Sequence, residues 1–428
     1  MNIKASLYFM HRKEISELVV RLDCGTNYET IYKHFSNGLK LYVIPKKRKI
    51  KTAAVVFNTG SCDTEFKLDG GICSVPLGTA HFVEHRMFEQ SYGSVSEKFT
   101  ELGAESNAFT DSGKTVYYFR TAENFEECLK LLLDFVQKPY FRNNELETEK
   151  KIIASEIKMY ADDPAWQSYF AALSALYPNS PVSEEIAGSV ESIQKINADT
   201  LYTFHKAFYT PENMTVVCAG NVDAERIIKI TENGINTENS SMMRINRRYN
   251  AVGGTKKVVG SNNVPSYTAA FPANVGCGKI KAGFLYRILG DMLFSESSEA
   301  FAEMSGKGLC TEAPAVAYIS ENGGILTVSG WSKNPEETVK IISRALQNFV
   351  YGGRVDSRAF DRAVKRVLGE VMKALDDTHI CITTQSEWNK ERLTAPEIIS
   401  MIKSIRERDI YYAAEKTENV CGTGICGK

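Results

Sequence analysis

His81-Phe82-Val83-Glu84-His85 sets two imidazoles four residues apart with a carboxylate between them. On a helix that spacing is about one turn, so both rings reach a single cation from one face, and Glu84 projects from that same face. Imidazole nitrogen with carboxylate oxygen suits zinc, and three protein ligands leave a fourth position for water. The chemistry expected is metal-assisted hydrolysis, with Glu84 taking a proton from the attacking water. A lone histidine is more often an ordinary core or surface residue. Here only 6 His serve 428 residues, and two of them around a Glu at this spacing is a rare coincidence.

The two histidines need one more ligand. Glu149 and Glu156 stand seven residues apart, on one face of a helix, with Ile153 between them. Glu156 is the expected third ligand. Glu149 is the expected supporting acid, since a ligating His usually passes its other N–H to an acceptor. Two solvent-facing charges on an amphipathic helix would give the same pattern.

The elements that must carry these residues are readable. Leu77, Ala80, His81, Glu84, His85 and Phe88 recur at helical spacing and predict a helix over 75–89. Charges on such a stripe are seldom tolerated without a partner. Ahead of it, 39–44 and 53–58 read as strands. After it come a helix over 95–102 and a hairpin, 104–110 and 115–121, turning at Asp111-Ser112-Gly113-Lys114. Helices follow over 124–137, over 144–161 (opened by Asn144 and Glu147, stopped by Asp162-Asp163-Pro164), over 166–176 and over 198–207, then a buried strand over 214–219. The order then repeats: a strand region over 258–270, helices over 280–294 and 297–304, a hairpin over 315–330, and helices over 335–350 and 358–375. The domains expected are 1–222 with the metal motif, a connector over 223–256 with one short helix, and 257–428 without the motif.

Lys and Arg number 51 against 52 Asp and Glu, a net charge of -1, so no basic field favours nucleic acid. Hydrophobic residues make up 43% and charged residues 24%, an ordinary globular balance. The opening MNIKASLYFMHRKEISELVV forms no signal-type apolar core and no later stretch is long enough to span a membrane, so a cytoplasmic protein is expected. The 10 cysteines are scattered. Cys421 and Cys426 could form a metal or redox hook, but a lone pair that is not CxxC is a weak signal, and a flexible tail or final turn is the stronger expectation.

The segments Gly78-Thr79-Ala80-His81-Phe82-Val83-Glu84-His85 with Met87-Phe88, Asn107-Ala108-Phe109-Thr110, and Glu149 followed by Glu156-Ile157-Lys158-Met159-Tyr160 resemble the pitrilysin-like M16 metallopeptidases. The resemblance covers residues 35–222. It implies one zinc per chain on His81, His85 and Glu156, with Glu84 as catalytic base and Glu149 as supporting acid. It also implies an α+β fold of two homologous α/β halves, each an antiparallel-rich sheet packed with helices, enclosing a chamber. The strand at Asn107 and Ala108 would then be an edge to which an extended peptide substrate adds. Length and His85-Arg86-Met87-Phe88-Glu89 are similar to half-size bacterial members acting beside a sister protein, some in bacteriocin (subtilosin-type) maturation, which suggests a leader or precursor peptide.

Active members commonly carry an Arg and a Tyr in a segment resembling F-x-E-x-R-E-K-x-G-L-x-Y. The matching stretch, Phe301 to Thr311, has Ser305 and Thr311 there and is one residue shorter. A heterodimer with a sister subunit supplying both groups is therefore expected, a homodimer being the alternative. A non-catalytic peptide-binding or scaffolding subunit is the competing function. Such members typically lose a ligand or the base, and this chain keeps them all.

Overall fold

The computed structural model describes residues 20–22 and 29–428, apart from 237, 246, 248, 275, 321, 322, 353, 354, 418 and 419. The reading of the leader falls largely on residues 1–19, outside the described residues. Among the described residues no helix is long and apolar enough to cross a membrane.

The chain runs through β1 (Val20–Leu22), β2 (Thr30–His34), β3 (Lys40–Pro45), β4 (Lys51–Phe57), β5 (Glu65–Leu68), β6 (Gly71–Ser74), α1 (Thr79–Met87), β7 (Glu89–Gln90), β8 (Gly93–Ser94), α2 (Val95–Glu101), β9 (Ala104–Thr110), β10 (Thr115–Thr121), α3 (Phe125–Phe135), α4 (Asn143–Ala161), α5 (Pro164–Leu176), α6 (Val190–Ile193), α7 (Ala198–Phe208), β11 (Met214–Gly220) and α8 (Ala224–Gly234). It continues through β12 (Met243–Arg244), β13 (Gly254–Val259), β14 (Ser266–Pro272), α9 (Lys279–Phe294), α10 (Glu299–Gly306), β15 (Ala315–Ser320), β16 (Gly323–Trp331), α11 (Pro335–Gly352), α12 (Ser357–Asp376), α13 (Thr378–Trp388), α14 (Ala395–Ser404), α15 (Glu407–Glu415) and β17 (Gly422–Gly427).

Two sheets organise these elements, with strand orders β1-β2-β3-β11-β4-β10-β9 and β13-β17-β14-β16-β15. In the first, β11 lies parallel to β3 and antiparallel to β4. In the second, β17 lies parallel to β13 and antiparallel to β14. The α+β fold with two similar halves expected from the resemblance is what the chain adopts.

The compact units are not contiguous in sequence. One comprises 1–154, 186–245 and 372–398; the other comprises 155–185, 246–371 and 399–428. This division cuts across the expected 1–222, 223–256 and 257–428 because each half lends a helix to the other half's sheet. α5 packs on β17, β14 and β13, and α13 packs on β11 and β4.

The region from 421 to 426 is neither a flexible tail nor a turn. Gly422 to Gly427 form β17, an inner strand, and its glycines serve close packing. A Cβ on Gly424 would fall 1.9 Å from Ser168 O, and one on Gly422 would fall 2.4 Å from Ala172 O, so α5 rests almost directly on the strand backbone. Cys421 and Cys426 are free thiols, five positions apart, and on an extended segment an odd spacing points them to opposite faces. That arrangement leaves no shared hook.

Three further readings are corrected. The expected helix over 75–89 starts at Thr79, because Pro76 precedes it and Gly78 takes a left-handed φ of 87°. The single strand region over 258–270 is two strands, β13 and β14. Glu147, expected to cap α4, instead pairs with Lys150 at 2.9 Å, while Asn143 accepts the Ala198 amide.

Candidate metal centre

Two glycines set the start of α1. A Cβ on Gly78 would fall 2.3 Å from Ala187 O, and one on Gly188 would fall 2.6 Å from Leu77 O, so the two backbones pass in contact. Both glycines have positive φ, which only glycine adopts without strain. Ser192 Oγ donates to Leu77 O at 2.9 Å and completes the clamp. The helix is then buried almost all round, and Phe82, Val83 and Met87, fully buried, each contribute about 1.5–3 kcal/mol to holding it.

On this helix the His81 and His85 rings stand 4.5 Å apart between centroids. The unbroken helix α4 places both Glu149 and Glu156. One ligand atom each from His81, His85 and Glu156 lie within 4.8 Å of one another. Burial, with a contribution from His85, pushes the His81 imidazole down to about 3, so the ring is neutral and keeps a lone pair to donate. Glu149 Oε1 lies 2.9 Å from His85 Nδ1, which directs that ring's other nitrogen, Nε2, toward the same group of donors. Two imidazoles and a carboxylate form a donor set that fits zinc.

Glu84 is buried, and Thr110 Oγ1 donates to its Oε2 at 2.6 Å. Thr115 Oγ1, across the hairpin, donates to Thr59 O at 3.0 Å and so does not compete for that carboxylate. Behind the pair, the Tyr117 and Tyr209 hydroxyls meet at 2.8 Å. Burial first, reinforced by the nearby Glu84 charge, holds both phenols well above their ordinary range, so they stay neutral.

β9, which carries Thr110, ends the first sheet, and Asn107 and Ala108 lie on this edge opposite Tyr118 and Tyr117. Asn107 is exposed, and its Oδ1 accepts the Ala108 amide at 2.8 Å.

Sequence reasoning did not single out Thr110, Arg86 or Glu145. Arg86 Nη2 lies 2.7 Å from Glu145 Oε2, and its Nη1 lies 3.7 Å from Glu149 Oε2. A signal was present for two of them: a charge inside a helix otherwise buried on all sides requires a partner, and Glu145 and Glu149 form an i, i+4 acidic pair. Thr110 carries no such mark, because its partner lies 26 positions away.

The chain is similar to known proteins along most of its length. Residues 43–189 match the family model described as Insulinase (Peptidase family M16), and 195–367 match Peptidase M16 inactive domain. A Bacillus subtilis (strain 168) protein named "Uncharacterized zinc protease YmfH" is 33% identical over 398 residues, covering 89% of this chain and 92% of that protein. An "Uncharacterized zinc protease" of Rickettsia bellii (strain RML369-C) is 33% identical over 160 residues, covering 36% of this chain and 39% of that protein. Among solved structures, a putative M16-like peptidase from Alicyclobacillus acidocaldarius superposes with a TM-score of 0.88 at 26% identity, covering 96% of this chain and 100% of that one. A protease from Helicobacter pylori has a TM-score of 0.78 at 18% identity, covering 94% of this chain and 99% of that one, a likeness of fold.

Proposed function

We propose, from the premise that this chain belongs to the M16 family of peptidases, that it is a zinc-dependent endopeptidase cutting extended peptides or unfolded segments. The observation that carries this reading is the convergence of His81, His85 and Glu156 within 4.8 Å, beside a buried Glu84 and an open strand edge.

His81, His85 and Glu156 would hold one zinc ion. Bound there, zinc supplies Lewis acidity, polarising the scissile carbonyl and lowering the pKa of a water. Glu84 takes that water's proton and later delivers it to the leaving amine. Thr110 keeps the Glu84 carboxylate from turning away, and Glu149 steadies the His85 ring. The outer edge of β9, at Asn107 and Ala108, pairs with the substrate main chain as an added strand, which selects extended backbone more than particular side chains. A leader or precursor peptide in the cytoplasm, such as a bacteriocin precursor, fits that selection.

Ser305 and Thr311 stand where an Arg and a Tyr would bind the substrate carbonyl. Two donors aimed at a developing oxyanion are worth about 2.7–4 kcal/mol or more, so a sister subunit supplying them would raise activity at least about 100-fold. The test is to measure zinc content and peptide cleavage by mass spectrometry for the chain alone and with a sister protein, beside Glu84→Gln. One zinc per chain, cleavage abolished by chelation, and a zinc-bearing but inactive Glu84→Gln are expected. A zinc-replete Glu84→Gln that still cleaves at the wild-type rate would refute the assigned base, and full activity unchanged by the sister protein would refute the partner.

A further inference from the structure

Arg86 is the charge in α1 that the proposed chemistry leaves unused. Its side chain is only 6% exposed, yet it follows His85 directly. Burying a guanidinium costs several kcal/mol unless its charge is matched, so its carboxylate partners decide what it does. Those partners are Glu145 Oε2 at 2.7 Å and Glu149 Oε2 at 3.7 Å, one turn apart on α4. The other oxygen of Glu149 lies 2.9 Å from His85 Nδ1. Glu149 is therefore gripped at both oxygens, by a cation on one side and by an imidazole on the other.

We propose that Arg86 is a positioning residue for the metal centre: it fixes the rotation of the Glu149 carboxylate, and through it the ring of His85. A carboxylate held at one oxygen still turns about its last side-chain torsion, which is broad and roughly two-fold. A guanidinium on the second oxygen removes that freedom. Glu145 anchors the far side of Arg86, so the hold on Glu149 comes from a fixed point and not from a mobile side chain. Without Arg86 the carboxylate would sample orientations that release Nδ1, and His85 would present its Nε2 for less of the time. The inference rests on His85 being a zinc ligand.

The experiment is a double-mutant cycle read as zinc affinity, by competition with a chromophoric chelator, with melting temperature followed in parallel. Wild type, Arg86→Gln, Glu149→Gln, the double variant, Arg86→Lys and Glu145→Gln are compared. Arg86→Gln is expected to weaken zinc binding about 10-fold, within the usual range for groups that orient a ligand. The double variant should bind zinc no more than about 2-fold more weakly than Glu149→Gln alone, because both substitutions break the same hold. Arg86→Lys should recover part of the loss, and Glu145→Gln should lose less than Arg86→Gln. Additive losses in the cycle, or a lowered melting temperature with unchanged zinc affinity in Arg86→Lys and Glu145→Gln, would overturn the proposal. A wild-type chain that binds no zinc would overturn the metal reading beneath it. Wild type with zinc and activity, beside Arg86→Gln of equal zinc affinity, would overturn this inference alone.

Discussion

The sheet built on β4 and the sheet built on β14 share one plan. Strands β3-β11-β4-β10-β9 and β13-β17-β14-β16-β15 follow the same order and the same directions, with two helices between the matching strand and its hairpin in each half. They differ in what lies against the hairpin. In the first half α1 brings a buried Glu84 to Thr110 of β9. In the second, α9 closes on β15 so tightly that a Cβ on Gly290 would fall 2.6 Å from Ala315 Cβ, and its buried residues are almost all apolar. The same frame thus accepts either a polar group that needs fixed partners or a dry helix contact. The scaffold does not dictate the chemistry; the residues on one helix face do.

If that is so, making α1 resemble α9 should abolish function and spare the fold. His81→Ala, Glu84→Ala and His85→Ala together are expected to remove zinc and lower cleavage by roughly 10⁴-fold or more, with circular dichroism unchanged. Loss of the fold would mean that the trio is structural. The reciprocal attack on the second half is Gly424→Val, which drives a side chain into the α5 backbone and should cost about 3 kcal/mol or more in urea denaturation. A variant within about 1 kcal/mol of wild type would show that α5 does not depend on the bare strand.

Smaller substitutions sharpen the contrast. Glu149→Ala should weaken zinc binding by roughly 10 to 100-fold, and Glu156→Ala by more, measured by chelator competition. The reverse ranking would exchange their roles.

The smallest effect expected is one of pH. His205 in α7 is buried against Val136 O, and burial pushes it from 6.5 down to about 4. The unfolded chain then binds a proton that the folded one does not, so stability is lost as pH falls from about 6.5 toward 4, by about 2 kcal/mol at pH 5. The matching helix α15 has no histidine. Urea midpoints at pH 7 and pH 5 should converge in His205→Gln, and an undiminished difference would place the acid sensitivity elsewhere.

Local pattern revealed most of the frame around the site. The strands 104–110 and 115–121 were legible to the residue, because the Asp-Ser-Gly-Lys turn that joins them is a signal within a few positions. The spacing of His81, Glu84 and His85 was likewise local. What stayed hidden depends on distant chain. Arg86 meets partners 59 and 63 positions away, and no periodicity encodes that. β2, β5 and β6 are short strands that the local pattern does not show, nor does it show α13, α14 or α15, and the segment that forms β17 reads as a tail or turn. There Gly422 and Gly424 carry no local mark of a packed strand, since the closeness of α5 that makes glycine necessary is set about 250 positions earlier.

The place of β17 also orders events in time. It sits between β13 and β14, but about 150 residues separate it from β14. At about 5–20 residues per second on a ribosome, that interval lasts on the order of 8–30 s. Until β17 is made, the inner edges of β13 and β14 have no partner, and α5 has no glycine backbone on which to settle. The first sheet, completed at β11, can close much earlier. The strands of the half with the candidate metal centre can therefore pair while the other sheet is still an open edge, with α13 joining β11 and β4 only late in that interval, and it is in that window that the chain is most exposed to pairing with a neighbour.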